Sequence, residues 1–70
     1  MQYYAIQDRF TKRFVAGTTR VGLMLQQILS DQDNPPLLFS GATLIRELKR
    51  RHINLKHYRI VVVDVRKAEI

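Results

Sequence analysis

Apolar positions along this chain change their period several times, and each change predicts an element. In residues 2–7, Gln-Tyr-Tyr-Ala-Ile-Gln, Tyr4 and Ile6 fall on one face of a strand and Tyr3 and Ala5 on the other. Polar residues from Asp8 to Arg13 interrupt this pattern, Phe14-Val15-Ala16 resumes it, and Gly17 ends it. The segment reads as a β-hairpin turning around residues 9–12, with no Asn-Gly or Asp-Gly to fix the turn type. Over residues 20–30 the spacing becomes helical. Val21, Met24, Leu25, Ile28 and Leu29 recur at three- and four-residue intervals, with Thr19 as candidate N-cap and Gln26 and Gln27 on the opposite side. Gly22 works against that helix by about 1 kcal/mol relative to alanine.

Asp31-Gln32-Asp33-Asn34-Pro35-Pro36 predicts a loop, because Pro-Pro forbids helix and Asn34 is pushed to an extended conformation. Leu37-Leu38-Phe39 is a short extended piece. Ser40 then caps a helix from Gly41 to about His52. Its stripe is Leu44, Ile45, Leu48 and His52, continued by Leu55, while Arg46, Lys49, Arg50 and Ile53 point elsewhere. Asn54 suits a left-handed terminator. Tyr58 to Val65 predicts a strand, apolar on both faces at Ile60-Val61-Val62-Val63, which suits a central position or one covered on its second face. Lys67 to Ile70 reads as a fraying end. The order strand, strand, helix, strand, helix, strand predicts an α+β fold: a small three- to four-stranded, mostly antiparallel sheet with two helices on one face.

Composition narrows the class. Seventy residues make one domain, 1–70, and 46% hydrophobic with 26% charged residues is a globular balance. So short a chain has little material for the walls of a catalytic cleft, so a non-enzyme is expected. The absence of cysteine excludes disulfides, thiol catalysis and cysteine-ligated metal, and makes a reducing cytoplasmic setting the simplest reading. No apolar run approaches the roughly 20 residues that span a bilayer. Met1-Gln2-Tyr3-Tyr4 does not open a signal peptide. No membrane association and no cofactor are expected.

Charge changes the picture most. Twelve Lys and Arg against six Asp and Glu give +6, and the distribution is uneven. Residues 46–59 hold six of the twelve basic residues, Arg46, Lys49, Arg50, Arg51, Lys56 and Arg59, with Glu47 as their one acid. Such a cluster fits an acidic protein surface or nucleic acid, where neutralised phosphates release counterions. Tyr58 beside Arg59 would add a stacking surface. The ordinary alternative is a solvated helix face whose long stems cover apolar surface. Arg9, Lys12 and Arg13 form a second basic group at the proposed hairpin tip, which would enter a groove or grip a partner; solubility is the ordinary explanation.

Other constellations carry less. His52 and His57 have neither a cysteine nor a carboxylate pair to complete a metal site. The acids form no pair, and no nucleophile elbow, phosphate loop or dinucleotide fingerprint is present. Tyr3, Tyr4 and Phe14 on neighbouring strands would make a base-stacking platform, but the basic-Gly-aromatic signature of such RNA-binding sheets is missing. An unpaired edge strand and a partly uncovered sheet face would make the chain a homodimeric structural protein.

The run Tyr4-Ala5-Ile6-Gln7-Asp8 through Thr11-Lys12-Arg13-Phe14-Val15-Ala16-Gly17 resembles the opening hairpin of small phage and prophage accessory proteins of Gram-positive bacteria. Leu38-Phe39-Ser40 followed by a helix, and Tyr58-Arg59-Ile60-Val61-Val62-Val63-Asp64-Val65, extend the likeness over about two thirds of the chain. The resemblance implies a non-catalytic accessory role, interfering with a host machine such as a nuclease, polymerase or defence complex.

Overall fold

The computed structural model describes residues 2–64. Val65, at the end of the expected last strand, and the tail from Lys67 to Ile70 lie outside them. The elements are β1 (Gln2–Asp8), β2 (Val15–Val21), β3 (Met24–Leu29), α1 (Gly41–Arg50) and β4 (Tyr58–Asp64). They make two separate antiparallel pairs, β1 with β4 and β2 with β3. The expectation of one three- to four-stranded sheet carrying two helices is corrected on both counts: among the described residues there is one helix, and there are two two-stranded sheets.

The missing helix is the segment from residue 20 to residue 30, which folds as the far half of a hairpin. Val21 pairs with Met24 across Gly22-Leu23. Gly22 takes φ +63, while Leu23 is not among the residues with positive φ. Glycine at the first central position of a two-residue loop is the type II′ arrangement, whose twist matches that of the flanking strands. The apolar residues at three- and four-residue spacing satisfy both periods, because two of them flank a turn. Gly22 decides between the two, since it weakens a helix interior and suits this turn.

The first hairpin is reduced to its turn. Lys12 adopts φ +66, and the Asp8 N–H donates to the Arg13 carbonyl at 2.8 Å, but only the Gln7–Phe14 bridge joins β1 to β2. β1 pairs over its whole length with β4 instead, from Gln2↔Asp64 to Asp8↔Tyr58. There Tyr4 and Ile6 face Val62 and Ile60. β2 beyond Ala16 offers only Gly17-Thr18-Thr19-Arg20, a poorer set of cross-strand partners. Phe39 closes part of the other side of β1: it exchanges both backbone bonds with Tyr4, each 2.8 Å. In the preceding loop the Asp31 carboxylate accepts from the backbone N–H groups of Asp33 and Asn34. The Asp33 N–H, the Asn34 side chain and the Asn34 N–H hold that carboxyl below its ordinary value.

Ser40 is the N-cap of α1 in position, with φ −74 and ψ 159; its hydroxyl lies 3.0 Å from that of Thr43 and bonds no backbone N–H. The other end is a Schellman motif. The His52 N–H donates to the Lys49 carbonyl at 3.2 Å and the Ile53 N–H to the Leu48 carbonyl at 3.0 Å, with His52 at φ +54. The left-handed terminator is therefore His52 and not Asn54. The reversal corrects the stripe as well: Leu44, Leu48 and Ile53 pack on the core, whereas Ile45, His52 and Leu55 are exposed. A narrow two-stranded sheet covers only a narrow line of the helix.

The core is Ile6, Val15, Phe39 and Leu44, ringed by Tyr4, Leu37, Leu48, Ile53 and Tyr58. Full burial of an aliphatic side chain such as Ile6 or Val15 contributes about 1.5–3 kcal/mol. Val15 anchors the root of the β2–β3 hairpin there, and the tip is exposed at Val21, Leu23 and Met24. On the second face of β1–β4, Ala5, Phe14, Pro36, Leu38 and Val63 line an open apolar hollow of about 250 Å³. Of the two positions expected for this strand, central or covered on its second face, the central one is not taken: among the described residues β4 has β1 as its only strand neighbour.

Candidate basic interface

The nine basic residues singled out by the sequence do not form one patch. The structure divides them into cations bonded to their own chain and cations left for solvent.

Arg51 is the most committed. It follows α1 directly, and its side chain is only 16% exposed. Its Nε donates to the Glu47 carboxylate at 3.1 Å and its Nη1 to the Thr18 hydroxyl at 2.9 Å. Thr18 in turn donates to Gln27 Oε1 at 2.6 Å, and Gln27 Nε2 donates to the Arg51 carbonyl at 2.7 Å. Thr18 and Gln27 are cross-strand partners in the β2–β3 hairpin, so this closed network fastens the end of the helix to the hairpin. The guanidinium also lies over the Phe39 ring, 5.7 Å from its centroid. Glu47 answers two cations, for Arg50 reaches the same carboxylate oxygen at 2.9 Å. The Arg50 hydrogen bond, followed by that of Arg51, holds the Glu47 carboxyl below the usual glutamate value against the opposing effect of desolvation.

Three further arginines hold backbone or amide oxygens. Arg9 Nε donates to the Tyr58 carbonyl at 3.1 Å and the Leu55 carbonyl at 3.2 Å. Arg13 Nε donates to the Ser30 carbonyl at 2.8 Å. Arg59 Nε donates to Gln7 Oε1 at 2.6 Å, across the β1–β4 pair. Arg9 thus ties the first turn to the start of β4 and Arg13 ties it to the end of β3, so they are not a free hairpin tip. Tyr58, considered as a stacking surface, packs against the core; burial, and after it the Asp8 charge, raises its hydroxyl pKa.

What remains is the outward face of α1. Ala42, Ile45, Arg46, Lys49 and Arg50 are all exposed, at the intervals that place them on one side of the helix. Among the described residues Arg46 and Lys49 make no side-chain hydrogen bond or ion pair, and Arg50 is bound only to Glu47. Ile45 stands among these cations at 65% exposure. Sequence reasoning placed it in the core stripe, and the spacing alone gave no way to reassign it. Lys12 and Lys56 are further exposed cations, in the first turn and in the turn before β4. Such a face can bind a complementary anionic surface. It offers no nucleophile beside a base.

His52 and His57 are both exposed, and no three metal-ligating side chains gather among the described residues. No described helix is long and apolar enough to cross a membrane. Comparison of the chain with protein-family models, with curated proteins and with solved structures finds no match.

Proposed function

We propose that this protein is a non-catalytic binding module that docks the outer face of α1 onto an acidic protein surface. The observation that carries the reading is the exposed Ile45 set among Arg46, Lys49 and Arg50, with the one acid of the helix bonded to Arg50 and Arg51. An apolar anchor inside a charged rim has the anatomy of a protein interface. A phosphate backbone would use the cations and leave Ile45 without a pocket, which is why nucleic acid is the second reading. Lys12 and Lys56 would add to long-range steering. In this reading the module is a phage-type accessory protein of the cytoplasm, the host's if phage-encoded, and works by occupying a surface of a host machine.

Capture from nuclease-treated lysate of the source cells tests it. Wild-type protein should retain a stoichiometric partner, and the Arg46→Glu/Lys49→Glu double variant and Ile45→Asp should each lose it. No retained partner, or retention unaffected by the variants, contradicts the reading. Binding to a random DNA duplex that collapses between low and moderate salt would move the target to nucleic acid.

A further inference from the structure

β4 has the composition of a central strand and the position of an edge strand. The backbone bonds show which of its groups are bare. Tyr4 exchanges its N–H and C=O with Phe39, and the Asp8 N–H goes to Arg13. Both residues therefore turn their backbone groups away from β4. In an antiparallel ladder this alternates. The bonds between β1 and β4 then come from Tyr3↔Val63, Ala5↔Val61 and Gln7↔Arg59. The Arg9 N–H donating to the His57 carbonyl at 2.9 Å continues the same phase. The alternate residues of β4, Tyr58, Ile60, Val62 and Asp64, direct their N–H and C=O outward. Those of Tyr58 are taken, by the Asn54 carbonyl and the Arg9 guanidinium. Those of Ile60 and Val62 have no partner among the described residues.

We propose that β4 pairs with β4 of a second copy about a two-fold axis through Val61, joining two β1–β4 pairs into one four-stranded antiparallel sheet. The bare groups fix the register. With Val61 opposite its own copy, Ile60 faces Val62 of the second chain and Val62 faces Ile60. Each facing pair exchanges two hydrogen bonds, so the eight bare groups of Ile60 and Val62 in the two chains are satisfied. Of the neighbouring registers of the same phase, the one centred on Ile60 sets Val62 opposite Tyr58, whose backbone groups are taken, and the one centred on Val62 sets the apolar Ile60 opposite the charged Asp64. The side chains agree with the backbone. Ile60 and Val62 are 38% and 56% exposed, and in this register each covers the other across the new ladder. The edge carries no lysine, proline or bulge over Ile60–Val63, the devices by which native edge strands avoid pairing.

The assembly also fits around the helices. A two-fold axis normal to the sheet keeps both α1 helices on the same face, where Tyr4, Ile6, Ile60 and Val62 point. Strands β1 of the two copies lie three ladder spacings apart, about 14 Å. Helices packed near them clear the 8–10 Å of close helix contact. Ile60 and Val62 then sit between the helices, and two basic outer faces are presented on one side of the dimer.

Sedimentation and register-specific cross-linking test this. Wild-type protein should sediment at twice 8.2 kDa at micromolar concentration. Val62→Pro removes an outward N–H and leaves the bonds to β1, so it should sediment as a folded monomer by circular dichroism. Val62→Lys should do the same. In this cysteine-free chain, Val61→Cys should oxidise quantitatively to a covalent dimer, because non-hydrogen-bonded partners lie about 4.5 Å apart at Cα, within disulfide reach. Leu23→Cys at the hairpin tip should not. A wild-type monomer at every concentration overturns the proposal. So does a dimer that survives both Val62 variants, or one in which Leu23→Cys cross-links and Val61→Cys does not.

Discussion

Arginines in one basic run differ in what they do, and substitution separates them. Arg51→Ala removes a partly buried side chain bonded to Glu47 and Thr18 and packed over Phe39. Chemical denaturation should show a loss of about 1–2 kcal/mol. Arg46→Ala, at an exposed position without an intramolecular partner, should stay within about 0.5 kcal/mol. The same carboxylate gives a pH dependence. Glu47 has a folded-state pKa below its unfolded value, because its charged form is bonded to Arg50 and Arg51. Its contribution is therefore complete above the unfolded value, near 4.5, and is lost as pH falls through the lower folded value. In Glu47→Gln, acid denaturation profiles should flatten in that window; an unchanged profile would show that the carboxylate does not hold the helix end. His52 occupies a left-handed position that glycine enters without strain. His52→Gly should raise stability by about 1 kcal/mol, measured by the denaturation midpoint.

At the scale of elements, the sequence was legible where one period dominated and misleading where two fitted. The α1 helix and its Ser40 cap follow from an apolar stripe after a loop of Pro-Pro, and β4 from an unbroken β-branched run. Residues 20–30 satisfied a helical spacing and a hairpin spacing alike. The deciding signal was Gly22, read as a cost to a helix when it is a requirement of the turn. Gly22→Val, forcing a branched side chain to φ +63, should cost about 1 kcal/mol or more and weaken the β2–β3 pairing, seen as loss of amide protection at Thr19 and Gln26, the hydrogen-bonded pair next to the turn's closing pair. His52 hid the end of α1 in a similar way. Counted on the stripe, it fell on a core position, but the chain reverses there and Ile53 takes the buried place. The basic face was legible as charge in the sequence. Which cations were spent inside the molecule was not, because Thr18, Gln7, Ser30 and Leu55 become their neighbours only through long-range folding.

At the scale of the whole molecule, few side chains are fully buried, and the apolar surfaces left open include the hairpin tip at Val21, Leu23 and Met24 and the β4 edge at Ile60 and Val62. The β4 edge joins its apolar side chains to a set of bare backbone groups that names its own partner and register. Pairing there returns to β4 the central position its sequence suits. It also doubles the basic α1 face on one side of the assembly, which would let two weak contacts act together. Amide hydrogen exchange at Ile60 and Val62, followed against protein concentration, tests this most directly. Both amides should become as protected as those of Val61 and Val63 as concentration rises through the dimer range, and revert on dilution. Exchange at Ile60 and Val62 that stays as fast as in the loops at every concentration, while Val61 and Val63 are protected, would contradict it.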